Sequence, residues 1–386
     1  MPLLLAGIAV LLTACGGSAE TPSIPPAQVD LMNPGAAWPP TPAVTGHRGA
    51  SALRPEHTLA AYQKAIDDGA DIVEPDLVST KDGVLVARHE NEIGGTTNVA
   101  DVAQFAARKV TKTIDGIPVT GWFTEDFTLA ELKTLRARER IPANRPANTA
   151  FNDQFEIPTL QEVVDLVKKE SVAKGRTIGI YPETKHPTYF KGIGLPLEKR
   201  LVDVLVASGY KGKAAAVFLQ SFEVANLKEL RGMTNMRIVQ LIDNPNNPPA
   251  ANGAPRNAPY DFVAAKNGRT YADLVTPAGL KDIAVYADVV SPYKEVIIAR
   301  TASNELGTAS SFVTDAHAAG LKVHTWTLRP ENPFLPVSMR APLATSPSQR
   351  GDMAAEVTAY LKTGIDGFFT DDPAAGRAAV TAFTKK

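Results

Sequence analysis

Short runs of apolar and β-branched residues alternate with stretches of helical periodicity from residue 44 to the end of the chain. The strand-type runs fall at 44–47, 71–77, 84–88, 177–182, 214–219, 237–242, 285–290, 321–326 and 367–370. Apolar positions three and four apart predict helices over 58–68, 160–174, 196–208, 223–231, 311–319 and 353–362. Strands that alternate with helices predict parallel pairing through crossover connections. Eight such units fit an α/β fold of the closed (β/α)₈ TIM-barrel type. The run at 84–88 is a ninth strand, and the turn Lys81-Asp82-Gly83 before it predicts a hairpin added to the barrel.

Three stretches exceed what a minimal barrel needs. Residues 90–157 separate His89 from the next helix and carry Trp122, Phe123, Phe127 and many charges. That is too long for a simple loop and predicts an inserted subdomain or cap. Residues 244–268 and 329–352 are rich in Pro, Asn and Ala and predict long surface loops. All three follow strands, so in a barrel they rise on the face that carries the chemistry.

The composition suits a folded soluble domain, with 44% hydrophobic and 21% charged residues among 386. The net charge of -1 gives no global field for nucleic acid, so any anion must be recognised locally. Cys15 is the one cysteine, which excludes an intrachain disulfide. It follows an apolar run at 3–12, too short to span a bilayer. The run and Thr13-Ala14-Cys15-Gly16 resemble a bacterial lipoprotein signal, in which the cysteine is lipidated and becomes the first residue after cleavage. No Lys or Arg precedes Cys15, so the basic start of such a signal is absent. The expectation is an exported protein, lipid-anchored at Cys15 in the cell envelope and facing the periplasm or exterior. Residues 16–43, rich in Pro, Ala, Ser and Gly, predict a flexible tether.

The candidate chemistry lies at predicted strand ends. Glu74 and Asp76, two apart on a strand pattern, project to one side. Pro75 between them predicts that regular pairing ends there, at the strand's C-terminal mouth. Glu183 stands at the end of another strand, with Lys185 on its side. Three carboxylates with no cysteine nearby favour an oxygen-loving cation, Ca²⁺ or Mg²⁺. Arg48 offers a planar fork for phosphate oxygens, and Gly46 and Gly49 predict a turn that brings the backbone close to a ligand. His47 follows the first strand, and the hairpin returns His89 towards the acids. Cleaving a phosphodiester needs one proton removed from the nucleophile and one given to the leaving alkoxide, which two imidazoles in opposite protonation states provide. His57, at a helix start, is expected to cap the helix or position Glu56. His186, His317 and His324 are expected to be structural or at the surface.

These residues resemble those of the glycerophosphodiester phosphodiesterases, most nearly the larger periplasmic type. The resemblance rests on His47-Arg48-Gly49-Ala50, Pro55-Glu56-His57-Thr58, Glu74-x-Asp76, Thr80-Lys81-Asp82-Gly83, His89 and Pro182-Glu183-Thr184-Lys185. Leu219-Gln220-Ser221-Phe222, Trp326-Thr327 and Gly364-Ile365-Asp366-Gly367-Phe368-Phe369-Thr370-Asp371 extend it. It implies a (β/α)₈ barrel, a divalent metal, and hydrolysis to sn-glycerol 3-phosphate and an alcohol. Glu74, Asp76 and Glu183 correspond to metal ligands, His47 and His89 to general base and acid, and Arg48 and Lys185 to a phosphate clamp. Gln220, Phe222 and Trp326 match positions that line the substrate pocket. One departure is Glu90, where the family usually has Asp after the second histidine.

The nucleophile in this reading is water, or a neighbouring glycerol hydroxyl that first forms a cyclic phosphate. Two rivals have their own signatures. A phospholipase D-like enzyme would act on intact lipid, in keeping with anchoring at Cys15. A lipoprotein that binds phosphodiesters without cleaving them would need no acid–base pair.

Overall fold

The computed structural model describes residues 30–35, 37–342 and 346–385; Cys15 and most of the expected tether lie outside them. The strands, in chain order, are β1 (Ala43–His47), β2 (Ile72–Glu74), β3 (Asp76–Ser79), β4 (Leu85–Ala87), β5 (Val110–Ile114), β6 (Ile117–Gly121), β7 (Gly179–Ile180), β8 (Glu183–Thr184), β9 (Phe218–Ser221), β10 (Arg237–Ile242), β11 (Val289–Pro292), β12 (Ile298–Arg300), β13 (Leu306–Ala309), β14 (Lys322–Leu328) and β15 (Gly367–Thr370). The main sheet runs β4-β3-β8-β9-β10-β11-β14-β15-β1-β2-β7. β2 and β3 are halves of one strand parted at Pro75, and β7 and β8 halves of another parted at Tyr181-Pro182. The split strands touch on both halves, Ile72 opposite Gly179 and Asp76 opposite Glu183. On its other side the second split strand meets β9, with Ile180 opposite Val217 and Glu183 opposite Gln220. The ring therefore closes as eight parallel strands, a (β/α)₈ barrel, with β4 added antiparallel as the expected hairpin strand.

Pro75 corrects one expectation. Pairing does not end there: Leu77 continues opposite Thr184, and the Pro75 carbonyl accepts from Glu183 N–H at 3.0 Å. Proline lacks only the donor, so the strand loses its β1 ladder after Glu74 and keeps its other neighbour.

Helices cover the barrel through apolar faces. The helix Leu59–Asp67 starts at Thr58, whose hydroxyl accepts from Ala61 N–H, and buries Ala61, Tyr62, Ala65 and Ile66. Leu160–Lys174 begins with a reciprocal Thr159/Glu162 cap and stops at Gly175, which has φ 58°. Two expected strands are displaced along the chain: 214–219 becomes β9 and 285–290 becomes β11. Val285 instead ends the helix Pro277–Ala284 and is 84% exposed. The long loops are partly ordered by short helices, Tyr260–Ala265 in one and the 3₁₀ turns Asn332–Phe334 and Val337–Met339 in the other.

The stretch from residue 31 to β1 is not a free tether. Trp38 is buried, Met32 O accepts from Ala216 N–H at 2.9 Å, and Arg237 donates to the carbonyls of Gly35 and Trp38. The indole packs on Phe218 at the N-terminal end of the barrel, where its apolar area leaves water.

Candidate active site

His47 ends β1, Glu74 ends β2, Asp76 begins β3 and Glu183 begins β8, so the barrel itself fixes these four side chains. Oxygen atoms of Glu74, Asp76 and Glu183 lie within 4.8 Å of one another, all three residues buried. Burial and the neighbouring acid charges push the Glu74 carboxyl well above its usual range. Burial also raises Glu183, to about 8, against the opposing pull of Lys185. Asp76 is held low: burial works upward, but Lys185 and His57 outweigh it. Asp76 Oδ1 is buried without a hydrogen-bond partner. An oxygen-rich, crowded and partly unsatisfied cluster of this kind fits a hard divalent cation.

Arg48 sits at φ 57°, between β1 and Gly49. Its backbone N–H donates to Glu74 Oε2 at 2.7 Å, and its guanidinium meets Glu56 at 3.1 Å and Asp76 at 3.6 Å. Packing alone requires glycine at positions 46 and 49. A Cβ at Gly49, which has φ 87°, would lie 2.6 Å from the Ala61 backbone, and one at Gly46 would lie 2.8 Å from the Ala65 Cβ. Lys185 pairs with Glu183 at 2.8 Å and reaches His89 Nε2 at 3.4 Å.

Each imidazole is held from behind by an acid. His47 Nδ1 meets Asp371 Oδ1 at 2.6 Å, and His89 Nδ1 bonds to Glu90. Arg145 and Arg329 both reach the other oxygen of Asp371. Burial, with Arg48 nearby, lowers His47 to about 4, and burial with Arg48 and Lys185 lowers His89 to about 3. Burial thus disfavours the charged form of both rings while the site holds no ligand. His57 is fully buried and neither caps its helix nor holds Glu56. Its Nε2 meets Asp76 Oδ2 at 2.8 Å and its Nδ1 meets the Tyr62 hydroxyl at 2.7 Å. Arg88, also buried, ties this corner down through the carbonyls of Glu56 and His57.

The three pocket positions divide. Gln220 donates to Glu74 Oε1 at 3.1 Å, so it braces a carboxylate. Phe222 and Trp326 meet edge to face with centroids 5.7 Å apart, and Lys185 Nζ lies 5.5 Å from the Phe222 ring centre. A cavity of about 70 Å³ is bounded by both histidines, Arg48, Lys185, the triad, Gln220, Phe222 and Trp326. A second, of about 440 Å³, shares His89, Glu183, Lys185, Phe222 and Trp326 and continues under Asp115, Tyr260 and Tyr271. His186 bonds to Asp115 and His317 to Asp366, each partly exposed, while His324 is buried against the Tyr181 hydroxyl at 3.1 Å.

Sequence reasoning missed the acids and arginines behind the histidines. Asp371 and Glu90 stood in quoted motifs or beside them, and a search for a carboxylate partner to each imidazole would have singled them out. Arg140, Arg145 and Arg329 come from long segments with no local pattern and carried no such signal.

Fold and site together define the class: a barrel enzyme whose C-terminal mouth gathers a carboxylate triad, two acid-backed imidazoles and two cations. The model of the glycerophosphoryl diester phosphodiesterase family matches residues 47–375, and the chain belongs to that family. It is 34% identical to a glycerophosphodiester phosphodiesterase of Arabidopsis thaliana over 84% of this chain and 82% of that one. It is 27% identical to a glycerophosphodiester phosphodiesterase of Haemophilus influenzae, covering 86% and 88%. The fold is similar to that of an Oleispira antarctica phosphodiesterase solved with the product sn-glycerol 3-phosphate, with TM-score 0.56, 17% identity and coverage of 88% and 97%.

Proposed function

We propose that this chain hydrolyses glycerophosphodiesters to sn-glycerol 3-phosphate and an alcohol, with His47 as base and His89 as acid. The observation that carries the reading is the double backing of the imidazoles. Asp371 accepts a hydrogen bond from Nδ1–H of His47, and Glu90 one from Nδ1–H of His89, which turns each Nε2 to the cavity they share. A neutral His47 can accept the nucleophile's proton, and Asp371 stabilises the imidazolium that forms. The anionic substrate brings negative charge beside His89 and favours its protonated form, which the leaving oxygen needs. Arg48 and Lys185 balance charge on the phosphoryl oxygens.

Glu74, Asp76 and Glu183 would hold a divalent cation, Ca²⁺ or Mg²⁺, which supplies Lewis-acid polarisation of a phosphate oxygen. His89 lines both cavities whereas His47 lines only the smaller, so the leaving alcohol occupies the larger one.

The test is release of glycerol 3-phosphate from glycerophosphocholine, with and without chelator, by the protein and by His47→Ala and His89→Ala. Turnover that survives both substitutions at full rate would remove the acid–base reading. Cleavage of phosphatidylcholine with glycerophosphocholine left intact would replace the substrate class.

Export and lipid anchoring at Cys15 belong to the same proposal, supported by the apolar run before that residue. Cys15→Ser should convert a detergent-extracted protein into one released without detergent. No change in partitioning would reject the anchor.

A further inference from the structure

The geometry points to Arg140 as a positioning residue for proton delivery to the leaving alcohol, acting through Glu90 on His89. This rests on the assignment of His89 as the acid. Arg140 comes from the long segment after the hairpin and lines neither cavity of the site. Its guanidinium spends both edges on two acids. Nε and Nη2 donate to Glu56 at 2.8 and 2.7 Å, while Nη1 and Nη2 donate to Glu90 at 3.0 and 2.5 Å. Planar forks of this kind fix direction as well as distance.

Glu90 Oε1 is shared between Arg140 Nη1 and His89 Nδ1. A glutamate has three side-chain torsions, and this one is 35% exposed, so its direction depends on its hydrogen-bond partners. Arg140 supplies that restraint, and Glu56 restrains Arg140 in turn. The ring of His89 is thereby set with Nε2 towards Lys185 and the shared cavity.

In the step concerned, the nucleophile's oxygen forms its bond to phosphorus and its proton passes to His47. The bond from phosphorus to the alcohol oxygen breaks, and that oxygen keeps the electron pair. It takes the proton from Nε2 of protonated His89, whose Nδ1–H stays on Glu90. The more basic the leaving oxygen, the more the step depends on the alignment of Nε2. A misplacement of about an ångström is enough to cost about a hundredfold in rate.

The experiment compares two esters with the same glycerophosphate half, one carrying choline and the other p-nitrophenol, whose anion leaves without a proton. Arg140→Gln should lower kcat on the choline ester by tenfold to a hundredfold, and change kcat on the p-nitrophenyl ester by no more than about threefold. Arg140→Lys, which cannot form both forks, should fall between. Equal losses on both esters, or none on either, would overturn the inference. His89→Ala is the control for the underlying reading: without an ester-dependent loss there, His89 is not the acid. An ester-dependent loss in His89→Ala alone leaves that reading intact and rejects the role of Arg140. Should Arg140→Gln fail to fold, Glu90→Gln is read on the same two esters against the same limits.

Discussion

Oδ1 of Asp371 lies 2.6 Å from Nδ1 of His47, so a residue just beyond the last barrel strand holds the ring that ends the first. Burial pushes Asp371 upward, but Arg329, Arg145 and His47 hold its carboxyl well below the usual range. The acid is thus a fixed anion that keeps the proton on Nδ1 and the lone pair of Nε2 free. Asp371→Asn should lower kcat by about a hundredfold or more and move KM much less. Steady-state kinetics on glycerophosphocholine checks this. An unchanged kcat would remove Asp371 from the machinery.

With His47 as the proposed base, Arg48 should influence the acid side of the pH profile. Burial lowers His47 to about 4, and the charge of Arg48 adds to that shift. Removing the charge raises the folded pKa, so protonation silences the base at a higher pH. Arg48→Gln should therefore move the acid limb of kcat/KM upward, whatever it does to the absolute rate. The limb position, read from rates between pH 4 and pH 7 in about half-unit steps, decides the matter.

Cation binding should compete with protons. Glu183 is pushed up to about 8 by burial, and Glu74 is raised by burial and by the charges of Asp76 and Glu183. A divalent ion needs these groups ionised, so its affinity should rise as pH increases towards about 8. Thermal midpoints measured over a series of Ca²⁺ or Mg²⁺ concentrations at two pH values would show it. Glu183→Gln should abolish the ion-dependent shift, and His57→Gln, which frees Asp76 from its brace, should weaken binding about tenfold to a hundredfold.

His324 gives a stability prediction independent of catalysis. Burial lowers it to about 4, and its Nδ1 lies 3.1 Å from the Tyr181 hydroxyl. Below a pKa of about 6.5 the unfolded chain takes up a proton that the fold refuses. Stability from this residue is thus complete above about 6.5 and is lost as pH falls towards 4, by on the order of 3 kcal/mol. Denaturant midpoints at pH 7 and pH 5 should differ less in His324→Leu than in the unsubstituted protein. An identical difference would show that the residue does not titrate this way.

The barrel was legible because its periodicities are local. The helix at 160–174 is observed with the same bounds, and Thr58 and Asp68 flank the observed Leu59–Asp67. β9 and β11 begin later than expected because partner strands, not the apolar run itself, decide where pairing begins. The triad and both histidines could be found because strand ends converge by construction. Their backing could not. Asp371 meets His47 across 324 positions, and Arg140 meets Glu56 across 84. Glu90 is the instructive residue: it departs from the family pattern, and its longer side chain is matched by an arginine from a segment of no readable pattern.

The closure of the barrel also fixes the order in which the protein becomes competent. β1 pairs with β15, Ala43 opposite Gly367 and Gly46 opposite Thr370, so the first strand waits for the last. Contacts of such sequence separation form slowly, because the chain between must be ordered before they stabilise anything. Until β15 arrives, β1 is an open edge able to pair with a neighbouring molecule. His47 meanwhile lacks its acid. A chain halted short of β15 should therefore be both inert and sticky, and in refolding, activity should appear with the slowest phase.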